Sequence, residues 1–218
     1  MRFPAVGLLA LAITSTVCAR AEAQDADTAL PIGPFVVDVR GTFPKFTNEP
    51  LLADSRGLSV GELPGLGLGL DVNAHVYLFT WRAMTFGLGG QLTLARAHAT
   101  PPGAAGQGTG RPVTERLTSL APQFSFNFGT GDGWSYISGG IGPSVWSVVP
   151  DGQDPLPGDT QRLETINYGG GARWFAKPHV AFTFDVRFYA IAPSAPHPPL
   201  PSGPRTTMLI MGAGISLK

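Results

Sequence analysis

The feature that most constrains this chain is alternation with a period of two, repeated in eight separate segments. Successive side chains of a β-strand point to opposite faces, so each such segment carries one apolar and one polar face. The clearest runs over 180–190, where Val180, Phe182, Phe184, Val186 and Phe188 share one parity and Thr183, Asp185, Arg187 and Tyr189 the other. Near the start, Phe35, Val37, Val39 and Phe43 alternate with Asp38, Arg40 and Thr42. Over 66–78, Leu66, Leu68, Leu70, Val72, Val76 and Leu78 oppose Asp71, Asn73, His75 and Tyr77. Over 84–95, Phe86, Leu88, Leu92 and Leu94 face away from Thr85, Gln91 and Thr93, and over 120–128, Leu120, Phe124, Phe126 and Phe128 oppose Gln123, Ser125 and Asn127. Three weaker segments follow. Ile137, Ile141 and Val145 interleave with Ser138 and Ser144, and Ile166, Tyr168 and Trp174 with Thr165, Asn167 and Arg173. In the last, Leu209, Met211, Ile215 and Leu217 keep the apolar parity while Met208 and Ile210 break the polar one.

The connections between segments come in two kinds. Residues 44–64, 98–115, 149–162 and 193–205 are long and rich in Pro, Gly and polar side chains, whereas 79–83, 129–133 and 176–179 are tight turns. Long and short alternate strictly, so an up-and-down meander places every long loop at one end. Transmembrane barrels of outer membranes have this asymmetry, with long extracellular loops and short periplasmic turns. Strands of about 10 to 12 residues cross an apolar band of roughly 25 Å at a tilt near 45°. The fold expected is therefore all-β: a closed, antiparallel, eight-stranded transmembrane β-barrel over 34–218.

Composition agrees. Glycine (29) and proline (21) are both abundant, which disfavours long helices. Fifteen acidic and fifteen basic residues balance, so no electrostatic case exists for nucleic acid as a partner. The first residues are set apart from the fold. Met1-Arg2 is a basic start, Ala5 to Val17 an apolar stretch, and Ala21-Glu22-Ala23 a small-x-small peptidase site, so 1–23 is expected to be a cleavable signal peptide. A short periplasmic segment, 24–33, would follow. Cys18 raises a lipoprotein alternative, but Ser15-Thr16-Val17 lacks the residues that usually precede a lipidated cysteine. Without Cys18 the mature chain has no thiol for a disulfide, a metal or a nucleophile.

Alternation alone does not say which face is inside. The apolar parity is nearly free of charge on all eight segments, as a lipid-facing band must be. Asp38, Arg40, Asp71, Arg173, Asp185 and Arg187 all lie on the other parity, three acids against three bases. They are expected to form a compensating network in the lumen, because unpaired charges in a narrow bore are costly. Asp38, Arg40, Asp185 and Arg187 are expected to pair at mid-depth, with Asp71 and Arg173 extending the set. His75, Gln91, Gln123 and Asn127 share that inward parity. Aromatic residues are expected to form belts at the two margins: Phe79, Trp81, Phe128, Trp134, Trp174 and Phe175 by the short turns, and Phe43, Trp146 and Tyr189 by the long loops.

In signal peptide, eight alternating strands and loop asymmetry, the chain resembles the small outer-membrane β-barrel proteins, the superfamily of the OmpA-type transmembrane domain and the OmpX-like barrels. The resemblance covers about Pro34 to Lys218. It implies location in the outer membrane of a Gram-negative-type bacterium, with outer-membrane lipids, lipopolysaccharide and the barrel-assembly machinery as partners and an unidentified extracellular ligand. One departure stands out: many members end in an aromatic residue, whereas this chain ends Ile215-Ser216-Leu217-Lys218.

Candidate chemistry is thin. His75 with Asp71 could belong to a hydrolytic triad, and some barrels of this size modify lipids, yet no nucleophile motif surrounds any serine. His98 and Glu115 at the base of the second long loop are expected to be surface polar groups. The glycine clusters at 89–90, 139–140 and 169–171 lack the strand-to-helix context of a phosphate loop and suit close packing inside a barrel. No residue pattern calls for a cofactor or a metal. The function expected is structural or surface-interacting, without enzymatic activity and with a filled lumen. The alternatives are a narrow channel and a lipid-modifying enzyme.

Overall fold

A computed structural model describes residues 31–102 and 110–218. Residues 1–23 and most of 24–33 lie outside them. From Ile32 onward the chain is one compact unit. Its eight strands are β1 (Phe35–Lys45), β2 (Leu68–Trp81), β3 (Met84–Ala99), β4 (Val113–Thr130), β5 (Gly133–Pro150), β6 (Arg162–Lys177), β7 (Val180–Ile191) and β8 (Thr206–Leu217). Each pairs antiparallel with the next, and β8 returns to β1 to close the barrel. Closure leaves no strand edge unpaired. Among the described residues no helix is long and apolar enough to cross a membrane, which is no bar to a barrel that crosses with strands.

The faces follow the alternation. Phe35, Val39 and Phe43 of β1 point outward, while Asp38, Arg40 and Thr42 are buried inside. The same split holds at mid-depth on β2, β3 and β7. Inward glycines make room for large side chains. A Cβ at Gly171 would meet the Tyr136 ring, and one at Gly169 would meet Arg187.

The strands run further than alternation predicts, up to 18 residues in β4 and β5. The short turns shrink to two residues, 82–83, 131–132 and 178–179. At the other end 98–99 and 113–115 are paired strand instead of loop, as are 149–150. The physical reason is an inversion of the pattern. Above the apolar band the outer face carries Arg96, Arg116 and Ser147, while the inner face carries Val113, Leu117, Trp146 and Val148, all fully enclosed. There the barrel stands in water and packs an apolar interior, as a soluble barrel does. Met208 and Ile210, the two apolar residues on the polar parity of β8, belong to this inner cluster.

The long loop after β1 folds over that end. It contains a short helix, α1 (Pro50–Asp54), whose Leu52 and Ala53 join the apolar cluster. Arg56 then donates to Asp159 at 2.8 Å, within the turn α2 (Pro157–Thr160) of the third long loop. Asp159 also accepts from the backbone N–H groups of Val148 and Leu156. The first and third loops are thereby tied across the mouth.

Candidate functional site: the lumen

Six charged side chains occupy the middle of the bore, each at most 5% exposed. Arg173 on β6 donates two bonds to Asp38 on β1, Nε to Oδ1 at 2.8 Å and Nη2 to Oδ2 at 2.6 Å. Ser216 on β8 donates a third to the same carboxylate. Arg40 on β1 donates through Nε to Asp71 on β2 at 3.0 Å and through Nη1 to the Tyr136 hydroxyl at 2.7 Å. That guanidinium also lies 3.8 Å from Asp38 and 3.6 Å from Asp185, so it reaches all three acids. Arg187 on β7 pairs with its neighbour Asp185 and donates to Gln123, Asn167 and Ser138. Tyr136 closes the circuit by donating to Asp185 at 2.8 Å.

The pairing differs in detail from the expected one. Asp38 goes to Arg173 and Asp71 to Arg40, whereas Asp185 and Arg187 form their closest ion pair within their own strand. Strand stagger decides which inward residues meet across a narrow bore. Gln91 and Thr93 complete the shell of Asp71, and Gln123 bonds Asn167. Asn127 lies nearer the short turns, on Ser125 and the Thr85 carbonyl. His75 is buried at 3% exposure on the same face of β2 as Asp71, but the two are not bonded. Asp71 already receives Arg40, Gln91 and Thr93.

Below the network lies an aromatic floor. Trp134 stacks on Phe175 with centroids 5.0 Å apart, Tyr77 meets Trp134 edge-on, and Ile32 and Val36 pack beside them. Lys218 caps this floor, its ammonium 3.8 Å from the Phe175 centroid and donating to the Gly131 carbonyl. Above the network lies the apolar ceiling of Leu117, Trp146, Ile191 and Met208, closed by α1. Four aromatics expected at the membrane margins therefore turn inward: Trp134, Trp146 and Tyr189 are each at most 3% exposed, and Phe175 is half-buried against Trp134. Trp81, Trp174, Phe79, Phe128 and Phe43 do face outward. Glu115, expected at the surface, is fully buried and accepts the Trp146 indole N–H at 2.7 Å. Its inward parity beside Leu117 was the available signal.

No family model and no curated protein matches this sequence. Solved structures do match the closed barrel. It is similar to Neisserial surface protein A, with a TM-score of 0.51 and 13% identity over 85% of this chain and 97% of that one. The chain has the fold of a small outer-membrane β-barrel. Two further outer-membrane barrels align more loosely. OprG of Pseudomonas aeruginosa gives a TM-score of 0.45 at 12% identity, covering 87% of this chain and 97% of its own. Ail of Yersinia pestis gives 0.44 at 11%, covering 84% and 96%.

Within this outer-membrane barrel fold, the outward positions Val39, Val72, Leu92 and Leu120 form an uncharged row, and the six charged side chains of the mid-bore network are turned inward. The charged groups of the lumen are engaged with one another, whereas His75 and Asn73, buried on the same face of β2, have no side-chain hydrogen-bond partner among the described residues. Among the described residues no three metal-ligating side chains converge.

Proposed function

We propose that the protein sits in the outer membrane as a closed, non-conducting barrel with a structural or surface-interaction role, its long-loop end facing outward. The observation that carries this reading is the three-layered filling of the bore: aromatic floor, charge network and apolar ceiling. An ion crossing it would have to displace packed side chains and break paired charges, each step unfavourable in a poorly hydrated interior. Non-catalytic behaviour is part of the same reading. A histidine general base needs a carboxylate to orient it, and Asp71 is engaged by three other donors.

Two measurements test it. The mature protein should fractionate with the outer membrane and migrate faster in gels before boiling than after. Refolded into planar bilayers, it should show negligible conductance, with only small and rare openings. Steady conductance, or recovery as a soluble periplasmic protein after mild lysis, would replace this reading with a channel or a secreted barrel.

A further inference from the structure

We propose that the outer rim of β3, β4 and β5 is a binding site for the phosphate group of an anionic lipid of the outer leaflet. Arg96 of β3 stands directly opposite Arg116 of β4, and Arg116 directly opposite Ser147 of β5, so the three form one row across the outside of the barrel. Both arginines are exposed. The loop after β5 bends back over the row, and Asp151 and Gln153 help close a cavity of about 270 Å³ around it.

Like charges directly opposite on an antiparallel pair repel and destabilise it. Elsewhere among the described residues no two basic residues stand directly opposite on adjacent strands, and each lumen arginine, and Arg56 in the first loop, has a carboxylate partner. Arg96 and Arg116 have none among the described residues. Residues 103–109, between the two strands in sequence, contain no Asp or Glu. Asp151 is within the cavity wall but turned to Thr114, whose hydroxyl donates to it at 3.4 Å and contacts His98 at 3.0 Å. A dianionic group between the two guanidinium planes would remove the repulsion, and arginine forks match phosphate oxygens in pairs.

Depth selects a lipid over a free anion. The row lies one outward step above Leu94, and Leu120 follows on β4 below Thr118, both large, apolar and exposed. A phosphate held by Arg96 and Arg116 would therefore sit where the apolar band ends, with its acyl chains running down over those leucines. Paired arginines at a membrane surface suit the phosphate of an anionic headgroup.

The inference rests on the proposed seating of the barrel with its long-loop end outward. The test uses the full chain refolded in a maltoside detergent and titrated with bisphosphorylated lipid A, followed by native mass spectrometry and thermal unfolding. Arg96→Gln with Arg116→Gln should weaken binding at least about tenfold. Dephosphorylated lipid A should bind the unaltered protein as weakly. Arg82→Gln, in a turn at the opposite end, should bind lipid A like the unaltered protein. Heat-modifiable mobility verifies that each variant is folded. Equal binding by the double variant, or equal binding of the dephosphorylated lipid, overturns the site. Stabilisation by inorganic phosphate alone at the same concentration overturns the lipid assignment. Conductance of the same preparations separates the two readings: a protein that neither conducts nor binds lipid A loses this site and keeps its closed lumen.

Discussion

A buried carboxylate that loses its guanidinium keeps the desolvation cost and loses the attraction that offset it. Arg173→Ala does this to Asp38, leaving it with the Ser216 hydroxyl and an Arg40 that is 3.8 Å away. The expected cost is about 3 to 5 kcal/mol, read as a lower denaturant midpoint. Arg187→Ala should cost less, because Asp185 retains Tyr136 and Arg40. Replacing both members, Arg173→Met with Asp38→Leu, should recover most of the loss, since no charge is then left unpaired. A double variant as unstable as the single would locate the effect elsewhere. In the first loop, Glu62 accepts the Ser59 backbone N–H at 2.7 Å and its hydroxyl at 2.8 Å, which lowers its pKa below the ordinary 4.5. A lowered folded-state pKa means the capped turn is favoured above the unfolded value and lost as pH falls through the folded one. The Ser59 amide resonance should therefore titrate with a midpoint below 4.5, and Glu62→Gln should abolish that titration. At this scale the sequence tells which residues face the lumen but not which partner each takes. Parity places Asp38 and Arg173 on one face. That they meet from β1 and β6 depends on barrel stagger, which alternation does not encode. Tyr136, the hinge of the network, sits on inward parity two residues before Ser138, but no alternating run precedes Ile137 to mark it.

At the scale of the strand, two solvents explain both what was legible and what was not. In the apolar band the inside is polar and the outside apolar, and alternation marks every strand there. Beyond it the order reverses, so β4 reads Val113, Glu115 and Leu117 inside against Arg116 and Thr118 outside. A single periodic template fitted through both zones loses the strand at the crossover, so alternation does not extend β4 over 113–115. The same division predicts a depth dependence for outward substitutions. Leu92 lies in the middle row between Val72 and Leu120, so Leu92→Arg should cost about 2 to 4 kcal/mol in lipid. Phe79→Arg, outward beside the β2–β3 turn, should cost about 0 to 1 kcal/mol. Folding free energies measured in vesicles decide it. Equal, small costs at both depths would mean that the outer face meets water throughout.

Across the whole molecule the bore is filled by three layers, and on the proposed reading they act as seals in series, which fail differently from a single gate. The ceiling is the layer most open to change, because part of it is loop: α1 contributes Leu52 and Ala53, and Arg56 holds the loop to Asp159. Replacing residues 48–64 with a short Gly-Ser linker removes that lid and the latch together. It leaves Leu117, Trp146, Ile191 and Met208 on the strands, and below them the paired charges and the Trp134–Phe175 floor. Every strand-to-strand hydrogen bond is retained, so the variant should still fold and show heat-modifiable mobility. Its conductance should remain negligible, because the paired, buried charges of the network still fill the bore at mid-depth. Adding Arg40→Ala to the loop deletion removes the one side chain that reaches all three acids, and water entry to the freed carboxylates should then give small, cation-preferring openings. Steady conductance from the loop deletion alone would show that the first loop is the sole gate over an otherwise wet pore.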